Sequence, residues 1–342
     1  MTAELTRTIV VGTGGLGTGM FLRLDGNNTL GREESRAASL LDQQDRCKLQ
    51  DIMHYVKALL GPRVEVMTVG RVGDDEPGRT VLHELHTTGL DASHVQVVRG
   101  KPTLFSVCFT YPNGDGGNLT LNDTASAAVS VADIEALRPV FRRHADRGVA
   151  LAAPEVPLEA RRRLLELASE HGFLRVASFL TGEIPAALAD GVLELVDVLS
   201  VNIDEAAELA GVDTFEEPEA VARAAIDRLR TGYPQLRVVI TAGGRGSWLW
   251  DGQQTLHTPS ISVPVVNTAG AGDAHVGGLI VGLVGGLGLK EANELATLVS
   301  AQKVGCIHTI NTDVDMDTTR DLARRADWPF PAVFAPALST LD

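Results

Sequence analysis

Short apolar runs and longer amphipathic stretches alternate along most of this sequence. The stretches PLEARRRLLELASEHG (157–172) and EPEAVARAAIDRLRTG (217–232) have helical patterns. Six runs have the composition and length of buried strands: TIVVG (8–12), VEVMTVG (64–70), VALAAP (149–154), LRVASFL (174–180), VDVLSV (196–201) and LRVVITAG (236–243). Strands that alternate with helices indicate a mostly parallel sheet with helices on both faces, which is an α/β fold.

Composition narrows the class of protein. The chain has 342 residues, which suits one large domain, and its net charge of −14 argues against a nucleic acid partner. The most apolar stretch (276–289) is shorter than the ~20 residues of a membrane span, so we expect a buried helix and no membrane contact. Three scattered cysteines and an N-terminus without a long apolar core predict a cytoplasmic protein.

Two stretches break the strand–helix rhythm. Residues 13–46 are rich in glycine and charge, and the segment 103–122 reads as two alternating strands around Pro-Asn-Gly-Asp-Gly-Gly. The second pattern is typical of a hairpin. In an α/β chain such a hairpin is either a flap over a site or a decoration at the sheet edge.

A first glycine run, GTGGLGTG (12–19), follows the first strand and matches Gly-x-Gly-x-x-Gly. A dinucleotide-binding turn would also need a second strand that ends in an acidic residue. Glu33 and Glu34 lie at about the right number of residues after the glycines. The stretch LDGNNTLGR before them, however, does not resemble a buried strand. We therefore favour a strand end that leaves space for a ligand or flap, with a purely structural glycine turn as the alternative.

A second glycine run, NTAGAGDAHVGG (267–278), follows the extended stretch 261–266 and opens a long apolar helix. A turn of small residues at a helix N-terminus presents backbone N–H groups and positive potential to an anion. Side chains larger than alanine at Gly270, Ala271 or Gly272 would block the approach of an oxyanion. This run therefore predicts a phosphate site.

Asp273 is the unexpected member of that turn, because a carboxylate repels a phosphate. Its presence is explained if it accepts the proton of a hydroxyl that attacks phosphorus, and the helix N-terminus favours the ionised form that this requires. The alternative is that Asp273 caps the helix, which is a common role for aspartate.

The second glycine run resembles the C-terminal signature of the ribokinase-like (PfkB) family of carbohydrate and nucleoside kinases. Other segments agree in order: VGRVGDDEPGR (69–79), VDVLSVNIDEAAELAG (196–211) and VVITAGGRGSWLW (238–250). The resemblance covers about residues 7–326. It implies a three-layer sandwich with a small β lid, and a kinase that uses ATP and Mg²⁺ and admits a monovalent cation.

Carried over by position, the resemblance assigns roles to individual residues. Asp273 becomes the general base, and 270–273 form the anion hole. Glu205 would act on Mg²⁺ through water, while the nucleotide would contact Asn202, Thr241, Gly243 and Gly246. Without the resemblance, a helix capping pattern is the favoured interpretation of Asn202 and Glu205.

The acceptor side departs from the family. A Gly-Gly pair followed by Asn is expected near 30–36, where this chain has LGREESR, and the aspartate expected after Gly12 is replaced by glycines. Four residues are nevertheless candidates for acceptor contact: Gly14, Gly15, Arg32 and Glu33. The alternative for the charged segment is a solvated helix start, and residues 42–61 are predicted to be helical.

These observations favour an ATP-dependent kinase that phosphorylates a hydroxyl of a sugar or sugar-like alcohol. Two alternatives stay open: a nucleoside kinase, and a non-catalytic member of the family that binds a nucleotide or sugar and regulates. We expect one kinase domain over 1–330, with lid strands from 13–40 and 99–125, and a tail at 331–342. A homodimer through the lid is the family-level expectation.

Overall fold

The computed structural model describes residues 5–113, 116–213 and 217–335. These residues form two sheets and eleven α-helices. The strands are β1 (Ile9–Thr13), β2 (Gly17–Leu24), β3 (Ala38–Arg46), β4 (Glu65–Gly73), β5 (Asp91–Val98), β6 (Leu104–Thr110), β7 (Gly116–Thr120), β8 (Gly148–Ala152), β9 (Leu174–Ala177), β10 (Val198–Asn202), β11 (Arg237–Thr241), β12 (Ser247–Trp250) and β13 (Thr255–Thr258). The helices are α1 (Lys48–Leu60), α2 (Glu76–Thr87), α3 (Val131–Glu135), α4 (Arg138–Arg143), α5 (Leu158–Glu170), α6 (Ile184–Ala189), α7 (Ile203–Ala210), α8 (Pro218–Gly232), α9 (Ala271–Val284), α10 (Leu289–Lys303) and α11 (Met316–Arg325).

The larger sheet has nine strands in the order β13-β12-β11-β10-β9-β8-β1-β4-β5. All neighbouring pairs from β11 to β5 are parallel, and only β12 and β13 are antiparallel to their neighbours. The predicted α/β fold with a mostly parallel sheet is confirmed. All six runs that were predicted as strands lie in this sheet.

Both faces of the large sheet are buried, as its continuous apolar runs require. In β1, the side chain of Val10 belongs to the core under α1, α9 and α10, whereas Ile9 and Val11 belong to the core on the opposite face. In β11, Val239 likewise faces one core, and Val238 and Ile240 face the other. The result is three layers: helices, sheet and helices.

The smaller sheet has the order β3-β2-β6-β7. Strands β2 and β6 pair in parallel, and the two outer pairs are antiparallel. The predicted hairpin is confirmed as β6 and β7, although Gly114 and Asp115 at its turn lie outside the described residues. The prediction of a helix from residue 42 is wrong, because residues 42–46 complete β3 and the helix begins at Lys48.

Helix α9 is buried along almost its whole length and packs closely against α10. A Cβ atom on Gly278 would lie 2.7 Å from the Cα of Ala296, and one on Gly282 would lie 2.7 Å from the Cα of Ala292. The missing side chains therefore allow the two helix backbones to approach. The close packing fixes the position of the glycine turn at the start of α9.

No helix among the described residues is both long enough and apolar enough to cross a membrane. The apolar stretch that was predicted to be a buried helix contributes most of α9.

Candidate active site

A cavity of about 440 Å³ opens where β10 and β11 end and α9 begins. In parallel sheets, ligands bind at the carboxyl ends of the strands. Eight of the residues that the sequence proposed for catalysis and nucleotide binding line this cavity: Asn202, Thr241, Gly243, Gly246, Gly270, Ala271, Gly272 and Asp273. Segments that are about 70 residues apart in the sequence thus meet at one site.

The turn at the start of α9 has the geometry of an anion site. Gly270 precedes the helix with a left-handed backbone (φ 76°), and an added Cβ there would lie 2.5 Å from the carbonyl oxygen of Thr309. A Cβ on Gly272, in contrast, would meet no atom within 4 Å. The N–H groups of the first helical turn have no partner within the helix. Gly270 is therefore required by the backbone, whereas the space beside Gly272 is open.

Asp273 lies in the first turn of α9, with its side chain 15% exposed. Its Oδ1 is 3.6 Å from the Nζ of Lys48, the first residue of α1. The negative charge of Asp273 is the largest cause that raises the pKa of the Lys48 ammonium above its usual value. Because Lys48 stays positively charged, it offsets the repulsion that Asp273 would exert on a phosphate at the turn.

Asn202 and Glu205 form a capping box at the start of α7. The Oδ1 of Asn202 accepts a hydrogen bond from the N–H of Glu205 at 2.8 Å, and the Oε2 of Glu205 accepts one from the N–H of Asn202 at 2.8 Å. Both residues therefore do cap the helix. Burial raises the pKa of Glu205 to about 7.

The turn between β11 and β12 forms another wall of the cavity. Thr241 ends β11, and its hydroxyl donates to the carbonyl of Val201 at 3.5 Å. Gly243 and Gly246 both have left-handed backbones, with φ of 52° and 85°. Glycine adopts such angles without steric cost, so this turn presents backbone rather than side chains to the cavity.

His275 also lines the cavity and is only 4% exposed. Neither of its ring nitrogens has a hydrogen-bond partner among the described residues. Burial lowers its pKa to about 4, so the imidazole is neutral at physiological pH. A buried polar group without a partner costs free energy, and a ligand in the cavity is a source of the missing partners.

The first glycine run packs against the segment that follows β8 and against Leu49, the neighbour of Lys48. The N–H of Gly15 donates to the carbonyl of Pro154 at 2.9 Å, and a Cβ on Gly14 would lie 2.8 Å from that of Ala153. A Cβ on Gly15 would collide with the carboxylate of Glu155. Both glycines therefore make room for the segment that follows β8.

Glu155 is the most unusual residue of that segment. Its backbone is left-handed (φ 73°), an angle that costs a non-glycine residue about 1–2 kcal/mol. Its carboxylate accepts a hydrogen bond from the backbone N–H of Lys48, but its Oε2 has no partner among the described residues. Burial raises its pKa to about 7. A glutamate with a strained backbone and an unpaired carboxylate oxygen is typical of functional sites.

The structure does not bring Arg32 and Glu33 to the cavity. They lie in an irregular exposed segment between β2 and β3, with side chains 93% and 84% exposed, and contact each other at 3.8 Å. No helix begins in this segment. Contact of these two residues with the acceptor stays a prediction.

Sequence reasoning missed Lys48 and Glu155. Glu155 follows the end of β8, and a carboxylate just beyond a parallel strand is a signal that could have identified it. Lys48 was hidden because the whole segment 42–61 was assigned to one helix. Two buried carboxylates, Asp45 and Asp51, surround the same region and are only 3% and 1% exposed.

No group of three or more histidine, cysteine, aspartate or glutamate side chains is arranged to hold a metal ion in the described parts of the chain. A Mg²⁺ ion that is bound with ATP needs no such group, because one or two carboxylates, the phosphates and water complete its shell. The buried carboxylate of Glu205, which is bonded to the backbone of the cavity-lining Asn202, fits that requirement.

Comparison with known proteins identifies the family. The model of the pfkB family carbohydrate kinases matches residues 53–316. A ribokinase of Schizosaccharomyces pombe is 27% identical over 270 residues, which cover 76% of this chain and 81% of the relative. A bifunctional ribokinase/ribose-5-phosphate isomerase A of Fructilactobacillus sanfranciscensis is 26% identical over 211 residues, which are 62% of this chain but only 37% of that protein.

A solved structure of Arabidopsis thaliana ribokinase, complexed with ribose and ATP, superposes with a TM-score of 0.72 and 20% identity, over 93% of this chain and 99% of the other. That likeness shows the ribokinase-like fold. The family match spans most of the chain, although it begins only after Lys48 and therefore leaves out the divergent N-terminal segment. The chain belongs to the pfkB family of carbohydrate kinases.

Proposed function

We propose that this protein transfers the γ-phosphoryl group of ATP to a hydroxyl of a sugar or sugar-like alcohol. The observation that carries the proposal is the meeting of Asp273 with Lys48, at 3.6 Å, directly beside the glycine turn. A carboxylate, a cation and a helix N-terminus that converge on one point are the groups that phosphoryl transfer needs.

Asp273 acts as the general base in this proposal. It accepts the proton of the acceptor hydroxyl while that oxygen forms its bond to the γ-phosphorus. The bond from the γ-phosphorus to the bridging oxygen breaks, and ADP leaves with that oxygen. Asp273 releases the proton to water when the product departs. Among the lining residues, Asp273 is the acid placed at the anion turn itself.

The backbone N–H groups of 270–273 stabilise the negative charge of the transferred phosphoryl group. Preorganised N–H donors of this kind lose no energy to reorganisation when the charge develops. Space at Gly272 allows the phosphate to approach the backbone. The positive charge of Lys48 stabilises the same region from the side of α1.

The nucleotide occupies the rest of the cavity, along Asn202, Thr241, Gly243 and Gly246. Its polar atoms supply partners for the ring nitrogens of His275. Glu205 would hold Mg²⁺ through water, because one of its oxygens is already bonded to the helix backbone. When bound, Mg²⁺ neutralises phosphate charge.

The acceptor lies between Asp273 and Glu155, on the Lys48 side. Unpaired carboxylate oxygens are suitable acceptors for sugar hydroxyl groups, and Glu155 offers one. The four-stranded sheet of β2, β3, β6 and β7 acts as the lid on this side. Its position next to α1 supports this role, since Arg46 at the end of β3 is two residues from Lys48.

ATP consumption with a panel of sugars, polyols and nucleosides tests the proposal. We expect turnover with at least one sugar or polyol, and none with nucleosides. Turnover confined to nucleosides would replace the proposed acceptor class. ATP binding without turnover on any acceptor would favour a regulatory role and overturn the proposed activity.

A further inference from the structure

Lys303, the last residue of α10, is completely buried. Its ammonium donates to the carbonyl oxygen of Asn267 at 2.8 Å and lies 3.5 Å from that of Cys306. It forms no ion pair with any carboxylate that the structure describes. Lysine is rarely buried without such a partner. Its place here is explained by the carbonyl oxygens that it bonds, since an apolar side chain would leave them without this donor.

The two carbonyl groups belong to two segments that are joined at this point. The side-chain amide of Asn267 donates to the carbonyl of Ile307 at 2.6 Å, and its Oδ1 accepts from the N–H of Ala269 at 3.0 Å. The N–H of Val266 also donates to the carbonyl of Val304 at 2.7 Å. Lys303 thus sits at the centre of a network that fastens 266–269 to 304–307.

Both segments continue directly into the contacts that position the anion turn. Residues 266–269 lead into Gly270, and Gly270 packs against the carbonyl of Thr309 so closely that no side chain would fit. The position of the turn is therefore determined by the two segments that Lys303 joins. Loss of the Lys303 contacts would allow both segments to move, and the turn would move with them.

Charge adds to the effect of geometry. The electrostatic partners of the buried ammonium are Asp42 on β3, Asp51 on α1, Asp273 on α9 and Cys306. A positive charge that is held by carbonyl groups rather than by water does not reorient when an anion arrives. It therefore favours a phosphate at the turn without weakening its own hydrogen bonds.

We propose that Lys303 is a positioning residue, whose buried ammonium joins the segments 266–269 and 304–307 and thereby sets the anion turn for phosphoryl transfer. This inference rests on the proposed kinase function. Lys303 does not touch the reacting atoms in this proposal, because its bonds are to backbone carbonyl groups behind the turn.

The test uses Lys303→Met, which keeps most of the stem, and Lys303→Ala, which leaves space for a small cation. Lys290→Met is the matched control, since Lys290 lies on the same helix but is exposed and pairs with Glu294 at 2.6 Å. With the best acceptor of the panel, we expect kcat to fall about 100-fold in both Lys303 variants, because a misplacement of about 1 Å costs that much. The acceptor KM should change less than about threefold, and Lys290→Met should match the wild type.

Rescue separates positioning by the ammonium from a general loss of packing. Methylammonium chloride should raise kcat of Lys303→Ala at least about tenfold, since it restores both charge and N–H donors. Tetramethylammonium chloride at equal ionic strength has no N–H group and should give no gain. Folded variants with kcat within about threefold of the wild type, or a loss that methylammonium does not restore, would overturn the inference.

The wild-type enzyme gives a second measurement if neither variant folds. Burial lowers the pKa of Lys303 to about 8. Its charge is present below that pH and lost above it, so kcat should decline as the pH rises through about 8 while the protein stays folded. A flat profile from pH 7 to 10 would count against Lys303. Absence of wild-type turnover on every acceptor would instead overturn the proposed function, and this inference with it.

Discussion

The proposed donor side and the proposed acceptor side of the site are built from different kinds of groups. On the donor side, the turns at 243–246 and 270–273 present backbone groups to the cavity. On the acceptor side, the side chains of Lys48, Asp51 and Glu155 come from two distant segments and form a cluster of interacting titratable groups. Backbone sites need glycines at fixed spacing, and a sequence shows that spacing directly. Side-chain sites depend on tertiary contacts, which a sequence shows only indirectly.

Asp273 stands where the two sides meet, so its replacement should have the largest effect. Asp273→Asn keeps the size of the side chain but has no basicity at neutral pH. We expect kcat to fall about 10²–10⁴-fold, which is typical for the loss of a general base. The melting temperature should change little. Asp317→Asn is the control, because Asp317 lies in the first turn of α11, is exposed and does not line the cavity. A kcat near the wild-type value would reduce Asp273 to a structural residue.

Gly272→Val tests the backbone character of the donor side. The fold has room for this side chain, since a Cβ on Gly272 meets no atom within 4 Å. It should occupy the space of the phosphate and lower kcat at least about 100-fold, as the loss of one oxyanion donor does. Gly182→Val is the control at an equally open position outside the cavity. Normal turnover of the Gly272 variant would mean that the phosphate binds elsewhere.

Lys48→Met tests the side-chain character of the acceptor side. Lys48 is 33% exposed, so solvent screens part of its charge, and we expect a fall in kcat of about tenfold. Lys57→Met, near the end of the same helix, should leave activity unchanged. The measurement is steady-state kinetics at constant ionic strength. Equal effects of the two substitutions would show that Lys48 contributes only to the overall electrostatic potential of the protein.

The change in kcat/KM over the first pH unit below 7 is the smallest of the expected effects, and it distinguishes the donor side from the acceptor side. Burial raises the pKa of both Glu155 and Glu205 to about 7. A raised pKa leaves these carboxyls neutral below pH 7, so kcat/KM should fall by up to about tenfold per pH unit as the pH is lowered from 7.

With saturating acceptor and varied ATP, only the donor side still titrates. The decline in kcat/KM below pH 7 should then persist in Glu155→Gln and disappear in Glu205→Gln. The opposite result would assign the titrating group to the acceptor side and would contradict the proposed role of Glu205 with Mg²⁺.

The fold could be predicted well from sequence because its signals are local. Each buried strand of the large sheet is a short apolar run, and the predicted runs at 8–12 and 236–243 correspond to β1 and β11. The segment 42–46 was wrongly predicted because β3 lies in the small, exposed sheet. Its polar residues carry no clear alternation, and the helix that follows begins without a side-chain cap at Cys47.

The site could be predicted only on the side that glycines define. The turn 270–273 was identified from spacing, and its residues do line the cavity. Lys48 and Glu155 were not identified, because a sequence does not show that the start of α1 meets the end of β8. The backbone hydrogen bond from Lys48 to Glu155 exists only in the folded chain.

The close contact between α9 and α10 has a consequence for the engineering of this enzyme. Gly278 and Gly282 allow the two helices to touch, and any larger side chain there would displace the helix that carries Asp273. Libraries that seek new acceptors should therefore leave this helix pair unchanged. Under the proposed function, diversity belongs around Glu155, which lies outside this helix pair, while Lys48 is kept because it pairs with Asp273.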